Sequence, residues 1–214
     1  MQLTLRAARR DDAAFLSWAI LTASRSHVPR GVWEYLFDFS EETTRRLLRG
    51  IVASDRPHWC HWSAFQVAEV DGERAAALCG FDPRTEGMHV LRPIVERLAV
   101  GCGVGPADLR GIEARGAVLD SVVPDYADGA WIVENVATVP AFRRRGLIDA
   151  LMQHVLAVGR SRGFTRAQIS VFIDNTPAQR AYQKNGFAIE SEKRSPALQA
   201  ALGFPGLRRL LQTL

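Results

Sequence analysis

The sequence of 214 residues contains no apolar run that approaches the roughly 18 to 20 residues that a membrane-spanning helix needs. It also lacks the N-terminal apolar stretch and small-residue cleavage site that are typical of a secretory signal. Its three cysteines are far apart and odd in number, so they do not predict a disulfide framework. These absences predict a cytoplasmic protein with no membrane partner.

Lysine is also scarce, because only Lys184 and Lys193 occur and the net charge of +4 is carried almost entirely by arginine. A modest positive charge suits an anionic small ligand. The arginines are scattered along the chain and not gathered into one patch, so we predict no nucleic acid partner.

Two patterns for nucleotide and metal binding are incomplete. The glycine-rich segment 101–106 follows a helix-like run and has Pro106 where a dinucleotide-binding turn would have its third glycine. No glycine loop is followed by Gly-Lys-Ser or Gly-Lys-Thr, which excludes a P-loop. His58, Cys60 and His61 have no second ligand cluster, so the sequence predicts no metal site.

The pattern of the whole chain predicts one α/β (α+β) domain over residues 1–214, because no repeat or linker divides it. The alternating aromatic side chains of Trp33, Tyr35, Phe37 and Phe39 predict a strand or a loop. Strand-like runs cover residues 2–7, 64–70, 75–81, 130–138, 164–172, 187–193 and 207–211. Helical patterns follow residues 10–12 and 40, and cover 91–100, 109–122, 146–160, 176–185 and 196–202.

The most informative segment runs from Val136 to Leu151 and reads VATVPAFRRRGLIDAL. A β-branched strand ends at Pro140, three arginines follow, and Gly146 opens an amphipathic helix. The first N–H groups of a helix are unpaired and lie at the positive end of its dipole, so they attract anions. The guanidinium groups beside them predict a phosphate or pyrophosphate ligand, and the alternative is a solvated basic turn.

Together with a second motif, this segment resembles the GNAT superfamily of acyl-CoA-dependent N-acyltransferases. The central motif of that family is a strand, a proline and then Arg/Gln-x-x-Gly-x-Gly/Ala at a helix start. Its second motif is a strand leading into Asn175, a short helix that contains Tyr182, and an end at Gly186 and Phe187. The resemblance covers residues 130–193 and extends to 1–25 and 64–82.

The resemblance implies a fold and a reaction. The fold is a mixed, mostly antiparallel sheet of about seven strands flanked by helices, with splayed parallel fourth and fifth strands. Residues 84–129 form a helical insertion longer than the usual connection in the family. The reaction is direct transfer of an acetyl group from acetyl-CoA to a primary amine of a small molecule or peptide, without a metal. The alternative is a non-catalytic acyl-CoA-binding module of the same fold.

The resemblance also implies which residues hold acetyl-CoA. The backbone of Val136, Ala137 and Thr138 is expected to pair with the pantetheine amides like an added strand. The backbone around Gly146 is expected to cradle the pyrophosphate. Ile148 stands where the family has glycine or alanine, so its side chain has to point away from the ligand. The predicted set comprises Val136, Ala137, Thr138, Arg143, Arg144, Arg145, Gly146, Leu147, Ile148, Asp149, Asn175, Ala178 and Tyr182.

Two residues are expected to move protons. An alkylammonium with a pKa of roughly 10.4 is protonated at neutral pH, and Glu134 in the fourth strand is the candidate base. Burial would raise the pKa of Glu134 toward the useful range, whereas pairing with an arginine is the alternative. Asp125 and Asp128 are other candidate bases or substrate anchors. Tyr182, four residues after Ala178 on the same helical face, is the candidate acid, and core packing is its alternative.

The remaining expectations concern the acceptor and the assembly. In the family, the region after the first helix borders the acceptor site. Trp33, Tyr35 and Asp125 are therefore expected to contact the amine, and core packing is the alternative for the aromatic residues. Asn175 has two possible roles, binding the cofactor or capping a helix. Homodimers are common in the family, which makes a homodimer one possible assembly.

Overall fold

A computed structural model describes residues 2–214, which form a seven-stranded sheet covered by helices. The strands are β1 (Leu3–Ala7), β2 (Phe65–Val70), β3 (Glu73–Phe81), β4 (Ala130–Thr138), β5 (Arg166–Phe172), β6 (Ala188–Arg194) and β7 (Gly206–Thr213). The helices are α1 (Ala13–Arg25), α2 (Val32–Phe37), α3 (Glu41–Val52), α4 (Pro83–Glu86), α5 (Met88–Gly101), α6 (Leu109–Asp120), α7 (Leu147–Ser161), α8 (Thr176–Lys184) and α9 (Pro196–Leu202).

The order of the strands in the sheet is β1-β2-β3-β4-β5-β7-β6. Every neighbouring pair is antiparallel except β4 and β5, which are parallel. The pairing of β4 with β5 covers only Ala130–Val133 against 166–169. Beyond Val133 the two strands separate, so the prediction of a mostly antiparallel sheet with splayed fourth and fifth strands is confirmed.

Two hydrophobic cores lie on opposite faces of the sheet. Along β4, Ile132 belongs to the α1-side core, which also contains Leu16 of α1 and Leu48 of α3. Trp131 and Val133 belong to the α7-side core, together with Leu151, Met152 and Val155 of α7. Because successive side chains of a strand alternate between its faces, residues 132 and 134 point to the same side. The sheet therefore separates two environments on either side of the gap between β4 and β5.

The prediction of a strand or loop at residues 32–39 is wrong, because Val32–Phe37 forms helix α2. The Glu34 carboxylate accepts the N–H of Gly31 at 2.8 Å and closes the first turn. The same carboxylate pairs with Arg25 of α1, which fixes the helix against its neighbour. Trp33 and Phe37, four residues apart, then share one helical face and are buried in the α1-side core.

The side chain of Asp12, the residue before α1, does not cap that helix by a hydrogen bond. A single 3₁₀ turn, Arg10–Asp12, precedes α1, and the Asp12 carboxylate accepts the N–H of Arg9 at 2.7 Å. The same carboxylate, which is fully buried, pairs with Arg6 of β1 and Arg74 of β3. Asp12 therefore joins the turn to the sheet.

Residues 84–129 are largely helical, as predicted. Helix α5 begins at Met88, three residues before the predicted start, and packs against α3. Helix α6 packs against α2 and α9. Residues 121–129 then return to the sheet and enter β4.

Candidate active site

A β-bulge lies at the point where β4 leaves β5. Glu134 opposes Cys79 of β3, but the next paired positions are Ala137 and Ala77, so β4 has one extra residue in this interval. Asn135 occupies the bulge with a φ of 56°, in the left-handed region that asparagine tolerates better than most residues. Its Nδ2 lies 3.5 Å from the Sγ of Cys79 and 3.9 Å from that of Cys60. The bulge therefore turns both Glu134 and Asn135 toward the α1-side core.

Glu134 has the properties of a proton acceptor. Burial raises the pKa of Glu134 to about 7, and no basic side chain is close enough to offset this effect. Glu134 as a whole is half-buried, so the residue keeps some exposure to solvent although its carboxyl is buried. At neutral pH about half of such carboxyl groups are ionised, which suits a base that accepts a proton and releases it again.

Tyr182 of α8 lies on the other face of the sheet, where it is 7% exposed and packs in the α7-side core. Burial and, to a lesser extent, the charge of Glu134 raise the pKa of Tyr182 well above its usual value. Among the described residues, no hydrogen bond holds its hydroxyl. The phenol therefore keeps its proton and is free to bond a ligand atom.

The arginine-rich turn leads into α7 in the predicted order. A 3₁₀ turn, Pro140–Phe142, is followed by Arg144 with a φ of 62° and by Gly146, the residue before α7, with a φ of 74°. The Gly146 carbonyl accepts the N–H of Ala150 at 3.1 Å, which starts the helical ladder. The N–H groups of the residues between them have no partner four positions earlier in the helix. They form a concave group of donors suited to a phosphate.

The side chains around this turn point away from those N–H groups. Leu147 is 2% exposed within the α7-side core, and Ile148 packs against the same core. Arg145 donates to the Ala141 carbonyl at 3.1 Å and lies over the ring of Phe142. Ile148 thus contacts the core, and that its side chain leaves the turn open to a ligand stays a prediction.

Arg143 lies on a cleft of about 360 Å³ between this turn and the end of α1. The cleft is lined by Trp18, Thr22, Arg25, Ser26, Val28, Pro29, Pro140 and Arg143. Ser26 also accepts a hydrogen bond at 2.5 Å from the amide of Asn175. The cleft thus lies between the end of α1 and the arginine-rich turn, and Ser26 in its wall is bonded to the residue before α8.

Asp149 and Asn175 both have structural contacts. The Asp149 carboxylate accepts hydrogen bonds from Lys184 at 2.5 Å and Asn185 at 2.8 Å, which joins α7 to α8. The Asn175 Oδ1 accepts the N–H of Ala178 at 3.2 Å, so the predicted capping role is observed. Only backbone groups of Asp149 and Ala178 remain for a ligand at these positions.

The predicted acceptor residues are not gathered at Glu134. Trp33 is buried in the α1-side core, and Tyr35 packs against a small cluster with Leu198 and Phe204. The Asp125 carboxylate is exposed and pairs with Lys193 at 3.2 Å. Their contact with an acceptor stays a prediction.

Sequence reasoning missed Tyr126, Asn135 and the two thiols beside them. Cys60 and Cys79 are buried free thiols, and burial raises the pKa of each well above its usual value. Asn135 could have been suspected from its place beside Glu134, but the bulge depends on a partner strand.

Within residues 2–214, no group of three or more His, Cys, Asp or Glu side chains is placed to hold a metal ion. None of the helices there is long and apolar enough to span a bilayer.

Comparisons with known proteins agree with this geometry. The model of the acetyltransferase (GNAT) family matches residues 30–187, and the chain belongs to this family. No curated protein sequence matches the chain.

Solved structures share the fold at low sequence identity. An acetyltransferase has a TM-score of 0.69 and 17% identity, with 98% of each chain covered. An N-acetyltransferase from Staphylococcus aureus Mu50 has a TM-score of 0.67 and 17% identity, with 97% of this chain and 99% of the other covered. The PaiA N-acetyltransferase from Thermoplasma acidophilum, in complex with coenzyme A, has a TM-score of 0.50 and 10% identity over the full length of both. The protein is therefore an acetyltransferase of this family that uses acetyl-CoA as its acyl donor, as the sequence predicted.

Proposed function

We propose that the protein transfers the acetyl group of acetyl-CoA directly to a primary amine, with Glu134 as the base and Tyr182 as the acid. The placement of these two residues carries the proposal. Glu134 belongs to the α1 side of the sheet and Tyr182 to the α7 side, and the gap between β4 and β5 lies between them. This placement of a proton acceptor and a proton donor on the two sides of the gap supports the two roles.

The residues fit acetyl-CoA in two respects. The edge of β4 that faces β5 is unpaired beyond Val133, so the backbone of Val136, Ala137 and Thr138 can pair with the pantetheine amides. The backbone of Arg143–Asp149 can bind the pyrophosphate, because Gly146 ends the turn and opens a helix N-terminus. The side chains of Arg143, Arg144 and Arg145 surround this turn and add positive charge.

Each proton in this reaction has a destination. The bound thioester supplies the acetyl group, so an N–C bond forms as the C–S bond breaks. Glu134 accepts one proton from the bound ammonium and passes it to water, and then accepts the second proton, which the nitrogen loses as the amide forms. Tyr182 gives its proton to the departing thiolate sulfur. The products are an amide and free coenzyme A, and the two side chains then exchange protons with water.

The proposal also covers the cellular location, the extent of the domain and the assembly. We infer a single domain over residues 1–214, with 84–129 as a helical insertion, acting in the cytoplasm. The free thiols of Cys60, Cys79 and Cys102 support a reducing compartment. A homodimer is the assembly to be tested by sedimentation.

A thiol-release assay with acetyl-CoA and a panel of primary amines tests the reaction. We expect Glu134→Gln and Tyr182→Phe to lower kcat by roughly 10²-fold or more. Glu73→Gln, which removes an exposed carboxylate on β3, is the matched control and should leave kcat unchanged. Direct transfer also predicts sequential kinetics without an acetylated enzyme. Ping-pong kinetics, or normal turnover in both variants, would refute the assignment.

A further inference from the structure

Tyr126 lies in the segment between α6 and β4, and both of its chain neighbours are anchored to the sheet. The buried side chain of Gln168 on β5 accepts the N–H of Ala127 at 2.8 Å and donates to the Asp125 carbonyl at 3.3 Å. Arg209 of β7 donates to the same carbonyl at 2.8 Å. A residue held on both sides in this way has a fixed position, although its segment has no regular secondary structure.

The ring of Tyr126 is on the same face of the sheet as Glu134. It meets the ring of Phe81 edge-on, with 6.1 Å between the ring centroids, and Phe81 stacks on Trp59 at 5.9 Å. Phe81 opposes Ile132 in the sheet, two residues before Glu134 and on its face. Trp59, Phe81 and Tyr126 therefore form an aromatic wall on the face of the sheet that carries Glu134.

The two side chains interact without touching. Burial and then the charge of Glu134 raise the pKa of Tyr126 well above its usual value, which agrees with the position of the two residues on one face of the sheet. Yet no hydrogen bond joins them within the described part of the chain. Tyr126 as a whole is 38% exposed, so part of this residue faces the solvent from which an acceptor arrives.

The groups around Tyr126 and Glu134 favour a positively charged ligand. The Tyr126 phenol and the thiols of Cys60 and Cys79 stay neutral at physiological pH, because burial raises the pKa of each. Burial alone accounts for the raised pKa of Glu134, so no cation lies close to its carboxyl. An ammonium group gains from a carboxylate and an aromatic face, whereas a second carboxylate would be repelled.

We propose that Tyr126 binds the acceptor amine, with its ring as one wall of the acceptor site and its hydroxyl bonded to the amine nitrogen beside Glu134. The site then takes a primary amine on an apolar carbon chain, such as an alkylamine or arylalkylamine, and excludes an amine that carries a carboxylate on the adjacent carbon. This inference rests on the proposed function, since it places the acceptor at Glu134.

A binding measurement tests the inference independently of turnover. The chain has only three tyrosines, so ¹³Cζ-tyrosine labelling gives three resonances, and Tyr126→Phe identifies one of them. We expect phenethylamine to shift the Tyr126 resonance, and phenylalanine, its carboxylate-bearing counterpart, to leave it in place. An unmoved Tyr126 resonance, or an equal response to both compounds, overturns the inference whether or not the protein acetylates any amine.

Steady-state kinetics gives the second test. Tyr126→Phe and Tyr126→Ala are expected to raise the KM for phenethylamine about tenfold or more, and to leave the KM for acetyl-CoA within about twofold. Val123→Ala in the same segment, where the side chain is 48% exposed, is the matched control and should change neither constant. Unchanged amine KM values in an active enzyme would reject the role of Tyr126 and leave the transferase assignment intact. Transfer that is absent for every amine, with a Tyr126 resonance that still shifts, would reject the assignment and keep the binding site.

Discussion

Glu134 acts on Tyr182 across the gap between β4 and β5, because its charge adds to the effect of burial in raising the pKa of Tyr182. The two residues come from opposite faces of one sheet and from segments 48 positions apart in the sequence. Their relation depends on the separation of the strands beyond Val133. If β5 continued alongside β4, the sheet would lie between them.

The pH dependence of the reaction should report Glu134. The base has to be ionised, so kcat/KM should rise as the pH passes about 7, the pKa to which burial raises this carboxyl. The raised pKa of Tyr182 keeps the acid protonated throughout this range. A pH profile from 5.5 to 9 with saturating acetyl-CoA measures the inflection. A profile that keeps the inflection near 7 in Glu134→Gln would rule out Glu134 as its origin.

Glu134 should also lower the stability of the fold at alkaline pH. Its folded pKa lies above the unfolded value of 4.5, so the folded state resists ionisation between pH 4.5 and about 7 and loses stability as the pH rises through this window. Glu134→Gln is therefore expected to melt at a higher temperature than the wild type at pH 8 and at the same temperature at pH 4. Glu73→Gln, on an exposed site, should melt like the wild type at both values. A destabilised Glu134→Gln at pH 8 would show that the carboxylate has a stabilising partner.

The bulge in β4 should depend on the residue type at position 135. Asn135→Ala places an alanine at a φ of 56° and removes the amide beside the two thiols, so we expect it to lose about 2 kcal/mol of unfolding free energy. Asn135→Gly relieves the backbone strain and should recover about half of that loss. Urea unfolding measures both variants. Equal losses in the two would mean that the left-handed conformation contributes nothing.

A substitution at Gly146 tests the phosphate turn and distinguishes an effect on coenzyme A binding from an effect on stability. Its φ of 74° is unfavourable for alanine, although an added Cβ would meet no atom within 4 Å. Gly146→Ala should cost about 1 kcal/mol of stability and weaken coenzyme A binding, because the N–H groups it positions would shift.

Gly163 provides the matched control, because it follows α7 with a φ of 84° and open space around its Cβ position. Gly163→Ala should lose similar stability and keep the affinity for coenzyme A, measured by calorimetry. An equal loss of coenzyme A affinity in both variants would show that the loss comes from destabilising α7 as a whole and not from the phosphate turn.

The features that the sequence predicted correctly depend on residues that are close together in the chain. Pro140 and Gly146 bracket a turn by their own backbone preferences, and Asn175 caps α8 through a contact three residues away. The prediction of a strand or loop at 32–39 is wrong because the alternating aromatics match a strand, whereas the Glu34 cap decides for a helix. Tyr126 could not be found, because its anchors Gln168 and Arg209 lie 42 and 83 positions further along the chain. Long-range pairing leaves no periodic pattern in a sequence.

Because β7 lies between β5 and β6, the end of the chain is needed to complete this side of the sheet. In the described sheet, β6 pairs with β7 alone, so it has no partner until residues 206–213 have been synthesised. Arg209, which holds the Asp125 carbonyl beside Tyr126, arrives with the same segment. A chain that ends before residue 206 therefore leaves β6 unpaired and the Asp125 carbonyl without Arg209, so the two ends of this sheet edge are completed together by the last strand.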